Sequence, residues 1–515
     1  MNNGVHGLSI TDYLLMLPML ELAIFALGIL LIDLMIPRRW KWLNAAGALA
    51  GTLFAAACVW RIQSALPPRG LLGFYNSLLV DRFAIYFWYL FLAGTAISIL
   101  ISAVYLHVED EHRGEYYAAM LLSVVGMMCM AAGIDVVLMF VGLQLMVVSL
   151  YVLVGFLRRE RRSKSAFKYM LHGALSSGIF VYGLSLFYGF SGGTNLATIA
   201  RWSSGLNAQN PVAGMNPHNP VVMIALFATM TGLLFEIGAA PFHRRIAGAY
   251  EHAPTSAAAF LSVVAMLAAW ALLLRVLLYG LWSLRLVYIP VLIFVAIASL
   301  TVGNIAALFQ TNTKRLLACS SIAHVGYMLL GLVAVGTSQI GSAGFVEGFK
   351  GVLIYLIAYT LMNLGAFAVI TSLRQGDVIG DQVDGLAGLY RRAPLEAVLM
   401  LLFLLSLAGI PPTAGFLGKY YVFQSLFEGK HYALAAVGLV YSLFGLYFYL
   451  KIAYGMFKRV PKDTVRLRVD TALRCAIGVT ALATLVIGIY PTPVVNAVNW
   501  TLAIQQSRHA SAVPK

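Results

Sequence analysis

Charged residues are scarce in this sequence. Asp, Glu, Lys and Arg together make up 11% of its 515 residues, whereas soluble globular proteins carry roughly a quarter. This composition argues against a soluble domain. The net charge of +15 does not indicate a nucleic-acid partner, because the basic residues cluster in short connections between apolar runs, which is how membrane topology is encoded.

Cofactor motifs are also missing. The four cysteines, Cys58, Cys129, Cys319 and Cys475, are scattered and form no CxxC, so no disulfide, metal site, iron–sulfur cluster or covalent haem is expected. No Walker motif is present and no GxGxxG follows a strand, which argues against bound ATP, NAD or flavin. We expect no cofactor and no metal in this chain.

What the sequence has in abundance is apolar residues. They form 61% of the chain, and runs of about 20 residues recur, each able to cross about 30 Å of hydrocarbon. The first run is of full spanning length and lacks a basic region before it, which favours a membrane helix over a signal peptide. The pattern predicts an all-α polytopic membrane protein with about fourteen transmembrane helices. The alternating segments of a β-barrel are not seen.

Lysine and arginine predict the orientation of these helices. Connections after odd-numbered spans are basic, as in "PRRWKW" and "FKRVPKDTVRLR", while the opposite connections have few basic residues. The basic set is expected to face the cytoplasm, with both termini on the periplasmic side.

Two spans are interrupted by glycine and proline beside an ionisable residue. "LLFEIGAAPFH" contains Glu236 and Pro241, and "LLSLAGIPPTAGFLGKYYVF" contains Pro411, Pro412 and Lys419. Paired broken helices at matching places in two halves are typical of ion paths in inverted-repeat transporters. Ordinary proline kinks are the alternative.

This pairing predicts the division of the chain. We expect two inverted five-helix repeats, each with one proline-broken helix, at 108–282 and 283–460. Three helices in 1–107 precede them, and a last helix with a tail, 461–515, follows.

Ionisable side chains at membrane depth are the candidate site residues, because each costs about 2.5 to 3.5 kcal/mol at the centre of a span. His324, flanked by serines and a tyrosine, favours a hydrated proton path, as does Lys419 after its double proline. Arg275 and Lys451 are interpreted as side chains that reach to the membrane interface. Possible accessory residues, which helix packing or an interfacial place would also explain, are His172, His243 and Lys350.

Four stretches carry a family resemblance. "FKYMLHGALSSGIFVYGLSLFYGFSGGTNL", "TNTKRLLACSSIAHVGYMLLGL", "YLIAYTLMNLGAFAVI" and "LFLLSLAGIPPTAGFLGKYYVF" closely resemble the N subunit of bacterial complex I, the proton-translocating NADH:quinone oxidoreductase. The resemblance extends over nearly the whole chain.

The resemblance implies an antiporter-like subunit of the inner-membrane arm, part of a translocase but without a redox site of its own. An M-type antiporter-like subunit and small K- and J-type subunits are the expected neighbours, within the lipid bilayer. NAD, FMN, iron–sulfur clusters and quinone are expected in partner subunits.

The family's proton-path residues match only in part. Lys419 and His324 match, whereas Gln144 stands for a glutamate of the family pattern, and Glu236 and Met266 each stand for a lysine. With Gln144 as its counterpart, Glu236 is expected to lack a cation.

Proton transfer through the first repeat is thus in question, because its family residues are replaced. The second repeat keeps its family residues. Three interpretations stay open: a rerouted proton path through Glu236, His324 and Lys419, a paralogue that serves as a non-pumping structural subunit, or a subunit of a cation/proton antiporter or other energy-converting complex.

Overall fold

The computed structural model describes residues 10–157, 160–205, 219–373, 382–459 and 469–512. The predicted boundary at 460 and 461 lies outside the described residues, as do parts of three basic connections. The predicted division into repeats therefore stays a prediction.

Helices form almost all of the described structure. In chain order they are α1 (Ile10–Met35), α2 (Trp42–Ser64), α3 (Arg82–Val108), α4 (Gly114–Ala132), α5 (Val136–Val154), α6 (Glu160–Ser191), α7 (Leu196–Ser203), α8 (Pro220–Glu236), α9 (Arg244–His252), α10 (Thr255–Phe260), α11 (Met266–Leu274), α12 (Arg285–Leu308), α13 (Thr313–Thr337), α14 (Ala343–Ser372), α15 (Leu389–Arg392), α16 (Pro394–Ala408), α17 (Ala414–Glu428), α18 (Tyr432–Lys458), α19 (Thr471–Ile489) and α20 (Thr492–Ala512). A short antiparallel hairpin pairs β1 (Leu71–Gly73) with β2 (Leu78–Val80).

Among the described residues, twelve helices are long and apolar enough to cross a membrane. Two shorter apolar helices, α8 and α16, are the first halves of the predicted broken spans. The prediction of an all-α membrane protein with several spans is confirmed. The number of about fourteen crossings stays a prediction.

Glycine and proline end both short helices. α16 stops where Gly409 takes φ +85°, a left-handed conformation that glycine adopts without strain. Pro411 and Pro412 follow and prevent the helix from continuing. Gly238, at φ +69°, and Pro241 act in the same way after α8. Both helices thus end where the sequence predicts an interruption, and a new helix follows each one.

The centre of the molecule consists of the segment Thr255–Gly280, which contains α10 and α11, together with α13. The most apolar stretch of each is entirely buried. α1, α2, α18 and α19 are much less buried, with large apolar side chains such as Leu34 and Leu443 directed outward. Outward apolar surface is what lipid-facing helices require.

Arg275 corrects one prediction. Its guanidinium does not reach to the interface but is 4% exposed and makes two hydrogen bonds to Asp81, of 2.8 and 2.9 Å. It also donates to the carbonyl of Ala131 at 3.1 and 2.8 Å and lies 4.6 Å over the ring of Phe83. The partner carboxylate is 194 residues away in sequence, so no local pattern signals this buried ion pair.

Candidate functional site

Lys419 lies in α17, and its side chain reaches back to the break between α16 and α17. Its Nζ donates to the carbonyl oxygen of Ala408 at 2.7 Å and to Oγ of Ser442 at 3.2 Å. It also lies 4.8 Å over the ring of Tyr327. Ala408 is the last residue of α16, so the broken helix supplies a carbonyl at its negative end for the ammonium group. Proline interruption therefore creates the site for this buried cation.

Two glycines make room for that arrangement. A Cβ added at Gly409 would lie 2.7 Å from Cδ of Lys419. At Gly415 an added Cβ would overlap the carbonyl oxygen of Ser406, and the Gly415 amide donates to the hydroxyl of that serine at 3.1 Å. The end of α16 and the start of α17 can pack closely together because these two positions carry no side chain.

His324 sits in α13 between two tyrosine hydroxyls. Its Nδ1 is 2.6 Å from Tyr355 Oη and its Nε2 is 3.2 Å from Tyr449 Oη. Tyr449 makes a further short hydrogen bond to Ser320. The ring is 2% exposed. An imidazole that is hydrogen-bonded at both nitrogens can accept a proton on one side and release it on the other.

A polar chain continues from His324 toward the first half of the molecule. The rings of His324 and Tyr359 are 5.5 Å apart. Asn363 Nδ2 donates to Tyr359 Oη at 2.8 Å and to Ser262 Oγ at 3.1 Å. Together these groups form a polar line through the most buried helices.

Glu236 lies at the other helix break, and it has a cation. Nη1 of Arg245 donates to Glu236 Oε1 at 2.7 Å, with the two side chains 4% and 3% exposed. Ser176 donates to the same oxygen at 3.1 Å. The expectation that Glu236 lacks a cation is therefore wrong, because α9 supplies Arg245 as its partner.

A small cavity adjoins this pair. Its volume of about 20 Å³ is lined by Glu236, Arg245, Tyr169 and Tyr250, and Met266 with four other apolar residues completes the wall. Met266, at the place of a family lysine, therefore lines the same small space as the ion pair, which has the size of one water molecule.

Among the described residues, no hydrogen bond joins the remaining predicted residues to Glu236 or Lys419. Gln144 is half-buried on α5. His172 bonds to the carbonyl of Lys168 in its own helix at 2.6 Å. Nδ1 of His243 is buried with no hydrogen-bond partner among the described residues. Lys350 pairs with Glu347 at 2.8 Å, one turn along α14.

Several site residues were missed from the sequence. Arg245 is nine residues from Glu236, and its place in "HRR" suggests an arginine at the cytoplasmic end of a span. Taken singly, Tyr355, Tyr449 and Asn363 are polar residues in apolar helices that cannot be told from packing residues. The regular recurrence of Tyr355, Tyr359 and Asn363 every fourth residue on α14 is the signal that could have revealed a polar face.

The two helix breaks and the buried polar groups define a class of protein. Two broken helices, each placing a charged side chain at a freed helix end, with titratable groups buried between them, are typical of membrane ion transporters.

Comparison with known proteins identifies the particular family. Residues 133–445 match the family described as NADH:quinone oxidoreductase/Mrp antiporter, transmembrane. The chain is 52% identical over 504 residues to NADH-quinone oxidoreductase subunit N 1 of Koribacter versatilis, covering 96% of each chain. It is 46% identical to subunit N 2 of Solibacter usitatus, covering 94% of this chain and 96% of that one.

A solved structure shows the same fold. A chain of respiratory complex I from Thermus thermophilus, with bound aureothin, superposes with a TM-score of 0.76 at 29% identity, over 93% of this chain and 99% of that chain. The chain therefore belongs to the NADH-quinone oxidoreductase subunit N family, the antiporter-like membrane subunits of complex I. The family resemblance is confirmed, and membership of a different energy-converting complex is not favoured.

Proposed function

We propose that this chain carries protons across the membrane within an NADH:quinone oxidoreductase, driven by electron transfer in partner subunits. The observation that supports this most is Lys419, a buried cation held at a helix break by neutral oxygens. Its Nζ lies over the ring of Tyr327, and that ring is 6.4 Å from the ring of His324, whose two nitrogens are both hydrogen-bonded. NAD, FMN, iron–sulfur clusters and quinone would be bound by the partners.

The partners of Lys419 suit a group that gains and loses a proton. A carbonyl and a hydroxyl accept hydrogen bonds from the ammonium, and the hydroxyl can donate to the neutral amine instead. Release of the proton leaves no unpaired carboxylate in contact with it. By contrast, Arg275 and Asp81 form a closed ion pair, in which loss of either charge would leave the other uncompensated.

The route proposed runs along the polar line. Protons reach Lys419 from His324, which is connected through Tyr359 and Asn363 to Ser262. From Lys419 the proposed path by which protons leave the membrane runs between α14 and α17. Gly351 lies against Val422 and Gly418 against Tyr355, so these helices run antiparallel.

Lys350 and Glu347 are the accessory groups of this outlet. The antiparallel packing places Lys350 about one helical turn, roughly 5 Å, beyond Lys419 toward the N-terminal end of α14. It also lies 5.9 Å over the ring of Tyr421, and Oε2 of Glu347 is buried without a hydrogen-bond partner among the described residues. A proton leaving Lys419 would meet this carboxylate before it reaches the surface.

The assembly and orientation follow the same proposal. The chain would lie in the bacterial inner membrane with both termini on the periplasmic side, as the basic connections indicate. An M-type antiporter-like subunit and small K- and J-type subunits would be its neighbours. Its exposed apolar surface, including Leu443 and Leu482, would be covered by these subunits or by lipid.

The relay is tested by His324→Phe in the assembled complex, purified and reconstituted in vesicles. We expect a lower number of protons translocated per NADH oxidised, because a phenyl ring fills the space but transfers no proton. His252→Phe is the matched control, since His252 bonds only to a carbonyl of its own helix, at 3.1 Å. An unchanged ratio in the fully assembled His324 variant would instead support the non-pumping structural role.

A further inference from the structure

Glu21 lies near the middle of α1, at membrane depth. Near one end of this helix, Asp12 accepts a hydrogen bond from the amide of Phe74 at 2.8 Å. Near the other end, Asp33 forms an ion pair with Lys41 at 3.2 Å. At 1.5 Å per residue, Glu21 is about 14 Å along the helix axis from Asp12 and about 18 Å from Asp33. A hydrocarbon layer of about 30 Å therefore has this carboxyl group near its centre.

The contacts of Glu21 within the chain leave its carboxyl group short of donors. Its Oε2 accepts a hydrogen bond from Sγ of Cys58 on α2 at 3.0 Å, and a thiol is a weak donor. Among the described residues, no other hydrogen bond and no ion pair reaches Glu21. Ionisable groups at the centre of a span are costly and usually pair with one another, so a partner for this carboxyl group is expected from outside the chain.

The surface around Glu21 is open and apolar. Leu20 and Ile24 of α1 and Phe54 of α2 are all exposed. Gly28 lies on the same line of α1 as Glu21, because seven residues make close to two helical turns. A Cβ added at Gly28 would meet nothing within 4 Å, and a small residue lets a neighbouring helix approach closely. These five residues form a surface, the α1–α2 edge, with room for another helix beside the carboxyl group.

Charge decides which occupant fits the α1–α2 edge. Lipid acyl chains can cover its apolar side chains, but they offer no donor to Glu21. A second copy of this chain docked by a two-fold axis would present the same surface and so bring one carboxyl group toward another. A basic side chain supplies both opposite charge and several strong donors. The edge is therefore complementary to a helix that carries such a side chain at the same depth.

We propose that the α1–α2 edge is the docking surface for a transmembrane helix of a partner subunit, and that a lysine or arginine near the middle of that helix pairs with Glu21. Cys58 is a positioning residue, because its thiol holds the carboxyl group at the edge. Gly28 gives the partner backbone its place of closest approach. This inference rests on the proposed assembly with other membrane subunits, and Glu21 takes no part in the proton route proposed above.

The first test measures how firmly the chain is held in the purified complex. Native gels at increasing detergent give the fraction of the chain released from its partners. For Glu21→Gln we expect about tenfold more release, because a charge-assisted hydrogen bond is replaced by a neutral one. Glu115→Gln, at an exposed carboxylate in the first turn of α4, is expected to change nothing. Contact with lipid alone predicts unchanged or lower release for Glu21→Leu, and that result would overturn the proposal.

A second pair of variants leaves the carboxyl group in place. Gly28→Leu fills a space that is open within the chain, so the fold can accept it, whereas a docked helix would be displaced. Gly478→Leu makes the same change on α19, where an added Cβ also meets nothing within 4 Å. We expect more release for Gly28→Leu than for Gly478→Leu. Equal release of the two variants would contradict the assignment.

Cross-linking tests the chemistry of the partner. A photo-reactive benzoylphenylalanine in place of Ile24, in the purified complex, is expected to form an adduct with another subunit. The cross-linked peptide should belong to an apolar span that contains lysine or arginine. Adducts only with lipid, with a second copy of this chain, or with a span without a basic residue would overturn the proposal.

The proposed function is tested separately. Complexes of the Glu21 variants that stay assembled are expected to translocate as many protons per NADH oxidised as the wild type, and a lower number would contradict a docking role. If Glu21→Gln does not change release while Lys419→Gln lowers the proton-to-NADH ratio, only this inference fails. If Lys419→Gln has no effect on that ratio, the proposed function itself fails.

Discussion

The buried pair of Arg275 and Asp81 gives a quantitative prediction for Arg275→Met. This change removes two hydrogen bonds to the carboxylate and two to the carbonyl of Ala131, as well as the contact with Phe83. Methionine fills the apolar part of the space but supplies no donor. Breaking a buried ion pair by removing one partner costs about 3 to 5 kcal/mol. We expect a destabilisation of that size.

Asp81→Asn tests the electrostatic part of this loss. Asp81 also accepts a hydrogen bond from the amide of Ala84 at 2.9 Å and so caps α3. Asparagine keeps that cap but has no net charge to leave unpaired. The double variant Asp81→Asn with Arg275→Met is therefore expected to be more stable than Arg275→Met alone.

The assay is thermal or denaturant unfolding of the purified chain in detergent. The measured quantity is the fraction of the protein that stays monodisperse. Arg285→Met is the control. Half-buried Arg285 also lies over an aromatic ring, 4.8 Å from that of Trp282, but among the described residues it makes one weak hydrogen bond, of 3.5 Å to the carbonyl of the same residue, and no ion pair. Its loss is expected to cost less than about 1 kcal/mol. The reasoning is refuted if Arg275→Met costs no more than this control, or if the losses of the two single variants simply add in the double variant.

Two further changes have definite expected outcomes. Gly409→Ala forces a residue with a Cβ into φ +85° and places that Cβ 2.7 Å from Lys419 Cδ. We expect a loss of about 1 to 2 kcal/mol in stability and weaker proton translocation. Gly478→Ala adds a Cβ inside α19 that meets nothing within 4 Å, so it should raise stability slightly and leave proton translocation unchanged. Outside the membrane, burial and then the nearby His107 lower the pKa of His112 from 6.5. Because the unfolded chain then binds more protons in acid, stability is expected to fall as the pH drops below 6.5, and a denaturation series at several pH values should show a smaller fall for His112→Asn. An equal fall in both proteins would contradict this cause.

The membrane architecture could be predicted from the sequence because its signals are local. Hydropathy defines the spans, and glycine and proline define both breaks, which the structure shows after Glu236 and Ala408. Lys419 and His324 could also be singled out, since a charge in an apolar run is conspicuous without knowledge of its partners.

The partners could not be predicted, because they come from other helices or from beyond a break. Arg275 looked like an interfacial residue until Asp81, far away in sequence, was placed beside it. Arg245 looked like a basic helix end, yet the chain returns after Pro241 and buries it against Glu236. A search for opposite charges across each predicted break would have found the second pair but not the first.

The central claim, that protons pass through Lys419, is tested most directly by the number of protons translocated per NADH oxidised. The measurement compares vesicles containing the complete enzyme with Lys419→Gln and with the wild-type chain. Lys458→Gln, a change at an exposed lysine at the end of α18, controls for loss of charge alone. The account predicts a clear fall for Lys419→Gln and none for Lys458→Gln, with equal amounts of the subunit assembled. The same ratio in all three enzymes would contradict it.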